Sequence, residues 1–121
     1  MTILVTALRH HVPAAALLAL GFLAIAAAPA AAAEDMPTFR VEMRGATITP
    51  SRLEVPADKP FKLEITNAGT DPAEFESVAL HKEKVLAAGV TSSLVFRRLP
   101  AGEYDFFDDF HPEAKAVLVA R

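Results

Sequence analysis

The chain contains no cysteine, no tryptophan and a single tyrosine. Without cysteine there is no disulfide, no thiol nucleophile and no thiolate to bind a soft metal. The fold must rest on its core, or on its core and a metal held by other donors. Glycine is sparse, at five residues, and no glycine-rich phosphate loop, Gly-x-Ser-x-Gly turn or His-Glu-x-x-His motif is present. Charge is modest too: 12 Lys and Arg against 15 Asp and Glu give a net charge of −3. A mildly acidic chain lacks the basic face that nucleic acid requires, and no basic amphipathic stretch suits a membrane surface. One further absence is local, since no acid precedes Glu34.

That acid-free stretch has its own organisation. Arg9, His10 and His11 are followed by an apolar run from Ala14 to Ala28, broken only by Gly21, then by Pro29 and the small residues Ala30 to Ala33. A weakly cationic start, an apolar middle and an Ala-x-Ala end predict a secretory signal peptide over residues 1–33, cut near Ala33. A bilayer span needs about 20 apolar residues, so the run is marginal as an anchor. No cysteine is present to carry a lipid, so no membrane insertion is expected after cleavage. The Ala-rich signal is bacterial in character, which places the product in the periplasm. Cleavage removes one cation and no acid, leaving 88 residues of net charge −4 with two histidines, His81 and His111. A chain of that size forms one domain, residues 34–121.

Within that domain the pattern is of strands. Glu34 to Pro37 reads as a polar leader; then Phe39, Val41 and Met43 alternate with Arg40, Glu42 and Arg44. Gly45 breaks the run, Thr47 and Ile48 restart it and Pro50 closes it, and Leu53 and Val55 flank Glu54. Phe61, Leu63 and Ile65 alternate with Lys62, Glu64 and Thr66, the clearest strand in the chain. Phe75 lies between Glu74 and Glu76, with Val78 and Leu80 at the same spacing, and Glu83 to Ala88 is read as a further strand. Leu94 and Phe96, then Tyr104 and Phe106, and finally Ala116 to Ala120 complete the set. Turn residues recur throughout, as in Pro56 to Pro60, Asn67 to Pro72 and Pro100 to Gly102. About eight short strands separated by such turns predict an all-β sandwich or barrel. Met43 is expected in the core, His81 in a solvated loop, and Tyr104, Phe106, Phe107 and Phe110 as an aromatic cluster at one end.

The run Leu99-Pro100-Ala101-Gly102-Glu103-Tyr104-Asp105-Phe106 resembles that of a cupredoxin, where a Pro-Gly turn and a Tyr precede the strand that enters the metal-ligand loop. Pro50 to Pro56 and the strand Phe61 to Asn67 resemble the early strands of the same Greek-key β-sandwich. Glu74-Phe75-Glu76, Gly102 to Asp105 and Phe107 to Pro112 are similar to the EfeO-type cupredoxin-like domain of bacterial periplasmic iron-uptake proteins. This resemblance implies a Tyr104 hydroxyl bonded back to the chain at a corner between sheets. It also implies a metal site on the last loop. A blue-copper centre needs a Cys thiolate beside two His, and none is available here. Asp108 and His111 have the three-residue separation of the family's Cys and His, the first-ligand position falls at Glu74 or Glu76, and Ala114 and Ala116 occupy the region of the axial Met. The resemblance thus implies metal ligands drawn from Glu74, Glu76, Asp108 and His111. Strand alternation puts Glu74 and Glu76 on one face, with Phe75 on the other.

Carboxylate and imidazole donors suit iron, manganese, zinc or Cu(II) rather than Cu(I), and anionic oxygen favours Fe(III) over Fe(II). The expected function is therefore a periplasmic metal-binding protein, an accessory of iron uptake that binds Fe(II) or Cu(II). By resemblance it works beside a periplasmic iron-binding protein and an inner-membrane permease, with at most an accessory ferrous-oxidase role. Two other readings stay open: a β-sandwich module that docks on a partner without metal, its acids forming a solvated rim, and a Cu(II) carrier without turnover.

Overall fold

The computed structural model describes residues 36–121; the expected signal segment and the first two residues of the leader lie outside the described residues. Nine strands follow one another: β1 (Thr38–Arg44), β2 (Thr47–Thr49), β3 (Arg52–Val55), β4 (Phe61–Asn67), β5 (Ala73–Ser77), β6 (Lys82–Leu86), β7 (Thr91–Phe96), β8 (Gly102–Asp108) and β9 (His111–Ala120). They form two sheets, ordered β2-β1-β4-β7 and β3-β9-β8-β5-β6. Two pairings are parallel, β1 with β4 and β3 with β9, and the rest antiparallel. The all-β architecture expected from the period-two pattern is the one observed, with nine strands rather than about eight.

Alternation places the core. In β4 Phe61, Leu63, Ile65 and Asn67 are buried while Lys62, Glu64 and Thr66 are half-buried. Their inward face meets Phe75, Phe106 and Leu118 of the other sheet in one apolar cluster. Phe61 stacks on Phe96 with ring centroids 4.8 Å apart and takes the edge of Phe39 at 5.8 Å, while Phe75 and Phe106 lie 5.0 Å apart. Such ring pairs add to the burial of their area. Met43 is in the core, as expected.

Three expectations need correction. The run through Phe75 was expected to continue to Val78 and Leu80, but β5 stops at Ser77. The Ser77 hydroxyl accepts the Leu80 N–H, the His81 N–H donates to the Val78 carbonyl, and His81 adopts φ +52°, so the chain turns and Val78 is 72% exposed. The resemblance placed Asp108 and His111 on a last loop. Instead β8 runs to Asp108 and β9 starts at His111, with only Asp109 and Phe110 between them. The aromatic cluster also divides. Phe106 is buried and Tyr104 packs against the core, but Phe107 is half-buried on the other face of β8 and Phe110 is exposed. The Tyr104 hydroxyl does bond back to the chain, donating to the Pro100 carbonyl at 2.8 Å from a half-buried ring.

Candidate metal centre

Asp108 closes β8 facing inward, on the same side as Phe106 and its cross-strand partner Phe75. A carboxylate that is 1% exposed must have its lone pairs met. Its Oδ1 accepts the backbone N–H of Glu74 at 2.9 Å and that of Phe110 at 3.0 Å, and its Oδ2 lies 2.8 Å from Nδ1 of His111. One side chain therefore ties β5, the β8–β9 turn and the first residue of β9. The bond to Phe110 N–H also explains the tight turn that the sequence pattern missed. His111 is partly exposed, and its pKa is raised. The hydrogen bond to Asp108 is the main cause, opposed by desolvation and reinforced by the charges of Asp108, Glu113 and Asp71.

Glu74 and Glu76 face the other way. Ala73, Phe75 and Ser77 of β5 point into the core, so the two glutamates share the outer face of the sheet. The antiparallel partner β6 sets Glu83 opposite Glu76. Carboxylate oxygens of Glu74, Glu76 and Glu83 all come within 4.8 Å of one another. Desolvation, then repulsion from Asp109, Glu83, Glu76 and Asp108, raises the pKa of Glu74. The four residues singled out from the sequence are thus brought together as two groups on opposite faces of one sheet. Asp108 and His111 form the inner one; Glu74 and Glu76 belong to the outer one. The backbone of Glu74 links them, donating to Asp108 and accepting the Asp109 N–H at 2.9 Å. Glu83 was not among the expected ligands, although the turn from Val78 to His81 sets the hairpin register that places it there.

A cavity of about 240 Å³ lies beside His111, lined also by Arg44, Gly45, Asn67, Ala68, Gly69, Thr70, Asp71 and Ala73. Its wall is the β4–β5 loop, and Asn67 holds that loop in shape. The buried Asn67 amide donates to the carbonyls of Asp71 at 2.7 Å and Leu86 at 3.0 Å, and its Oδ1 accepts the Gly69 N–H. Asp71 and Arg44 therefore stand at the same opening as His111. Ala114 and Ala116 are buried in the core and offer no donor.

The donor chemistry excludes a thiolate copper centre, because the chain supplies no sulfur from cysteine. What it supplies at the β8–β9 turn is one carboxylate and one imidazole whose nearest atoms are 2.8 Å apart. That spacing lets both be adjacent ligands of one hard or borderline divalent ion.

Comparison with known proteins agrees with the fold. The reduced auracyanin of the photosynthetic bacterium Roseiflexus castenholzii superposes with a TM-score of 0.60 at 14% identity, over 69% of this chain and 96% of that one. Auracyanin A of Chloroflexus aurantiacus, described as a blue copper protein, gives 0.57 at 16% over 69% and 98%. A purple cupredoxin of Nitrosopumilus maritimus gives 0.51 at 16% over 68% and 98%. In sequence, an uncharacterized protein of Rickettsia prowazekii (strain Madrid E) is 31% identical over 74 residues, which is 61% of this chain. The match spans only 59% of that relative's length. The family model of the cupredoxin-like domain matches residues 15–120. With its two-sheet fold and that match over most of its length, a chain that has no cysteine nonetheless belongs to the cupredoxin-like domain family.

Proposed function

We propose that the protein is an exported, periplasmic metal-binding protein that holds iron or Cu(II) through carboxylate and imidazole. Its role is that of an EfeO-type accessory to bacterial iron uptake. The observation that carries this reading is the Asp108–His111 pair, a buried carboxylate 2.8 Å from an imidazole nitrogen beside an open cavity. Metal binding releases the proton that the pair shares, which frees Nδ1 and Oδ2 as donors to one ion. Asp108 and His111 are the primary ligands in this proposal, with Glu74 and Glu76 as a separate acidic site on the outer face. Delivery to a permease, a partner iron-binding protein and any ferrous-oxidase assistance belong to the same proposal.

One observation favours a second reading. All the side-chain oxygens of Asp108 already have partners, and no buried side-chain nitrogen or oxygen among the described residues lacks one. A site complete without metal suits a docking module whose acids are structural or solvated.

Thermal melts separate the two. A ligand that binds only the folded chain at a hundredfold excess over Kd adds about 2.7 kcal/mol. That moves the midpoint of a domain this small by about 10 °C or more. The melt is run without metal and with Fe(II), Mn(II), Zn(II) and Cu(II) in turn. A shift lost in Asp108→Asn/His111→Ala but kept in Glu74→Gln/Glu76→Gln supports the inner pair. The opposite pattern moves the site to the outer glutamates. No shift with any metal leaves the docking module.

A further inference from the structure

Four strands end the two sheets: β2 and β7 in one, β3 and β6 in the other. Exposed edges are usually blunted by shortness, charge or proline. β2 has three residues and runs into Pro50. β3 carries Arg52 and Glu54, and β6 carries Lys82, Glu83 and Lys84. β7 differs from all three. It is the longest of the four, its sequence Thr-Ser-Ser-Leu-Val-Phe has no charge and no proline, and it pairs with β4 alone. Half of its backbone donors and acceptors therefore face outward, with no strand among the described residues to meet them. Two exposed apolar side chains lie on this edge, Val90 just before β7 and Val95 within it.

At the C-terminal end of β7 the flank opens into a groove of about 540 Å³, lined by Leu80, Phe96, Leu99 and Tyr104 together with Lys82, Arg97 and Arg98. Every charged residue lining it is cationic, on a chain of net charge −3. Arg98 is held by Asp58 at 3.0 Å, but Lys82 and Arg97 make no ion pair among the described residues.

We infer that β7 and this groove form a docking site for an extended acidic segment of a partner protein, which adds to the sheet as a strand. Main-chain hydrogen bonds along β7 supply affinity, as in other strand-addition complexes. Lys82 and Arg97 select acidic side chains and fix which end of the segment enters the groove. The site lies apart from Asp108 and His111, and it stands whether or not those residues bind metal.

The test is fluorescence anisotropy on the purified processed chain, with a labelled heptapeptide of alternating valine and glutamate. Saturable binding is expected. It should weaken about tenfold or more with valine–lysine in place of valine–glutamate, and equally in Lys82→Glu/Arg97→Glu. Methylating alternate peptide amides, which leaves charge intact but blocks pairing, should abolish it. The charge-reversed variant must melt at the wild-type temperature, as expected for two exposed surface changes. Absence of binding at millimolar peptide overturns the proposal. So does equal affinity for the lysine peptide, or full binding by the methylated one. Preference for phosphatidylglycerol vesicles over the peptide, or a concentration-dependent dimer that closes the flank, also overturns it by naming a different occupant.

Discussion

At the scale of single residues, Asp108 does most to hold the candidate site. It stands on the last residue of β8 and meets two backbone donors and one imidazole from a buried position. Asp108→Ala strands the Glu74 and Phe110 N–H groups and is expected to cost about 2–4 kcal/mol in a denaturant melt. Asp108→Asn keeps one acceptor and should cost less. His111 gives a signature in pH. Its folded pKa is raised, so its contribution is complete below the unfolded value of about 6.5 and is lost as pH climbs through the folded value. The metal-free melting temperature should therefore fall as pH rises above about 6.5, and His111→Gln should flatten that limb. Glu74 is an acid with a raised pKa, so its charge opposes folding once pH rises through that value. Glu74→Gln is expected to stabilise the domain at pH 7 and to give no gain near pH 4, below the ordinary glutamate range of about 4.3.

At the scale of elements, β4 and the corner before β8 carry distinct loads. β4 lies between β1 and β7 with Phe61, Leu63 and Ile65 at 0% exposure. Phe61→Ala removes a ring that touches both Phe39 and Phe96, and should cost about 3–5 kcal/mol by chemical denaturation. Tyr104→Phe keeps the ring and loses only the bond to Pro100, so about 1 kcal/mol is expected. The alternation in β1, β4 and β5 was legible because each has one buried face, and a side-chain period of two survives in any sequence that buries it. The end of β5 and the start of β9 were not legible. Both depend on local hydrogen bonds, such as Leu80 N–H to the Ser77 hydroxyl and Phe110 N–H to Asp108, that no hydrophobic pattern records.

At the scale of the whole molecule, export is the expectation to test first. Intact-mass measurement of the chain recovered from a bacterial periplasm is expected to give a product beginning at Glu34, within a few residues. Recovery of the full 121-residue chain from the membrane fraction would instead mark residues 1–33 as an anchor. The two groups of candidate ligands also belong to this scale. Their separation follows from the Phe75–Asp108 register, which pairs residues 33 positions apart in the chain.

By itself the sequence determined the class of fold, the core face of the long strands and the impossibility of a thiolate site. Each is a matter of composition or of local period, and local period needs no knowledge of neighbours. It also brought Asp108 and His111 together, because three residues across a turn cannot separate far. Tertiary structure decided the rest. It placed Glu74 and Glu76 on the far side of the sheet with Glu83, made Asp108 a buried strand residue instead of a solvated loop acid, and left β7 as an uncharged open edge. Those outcomes depend on which strands lie side by side and in what register, and a one-residue change in register would move every side chain concerned to the opposite face.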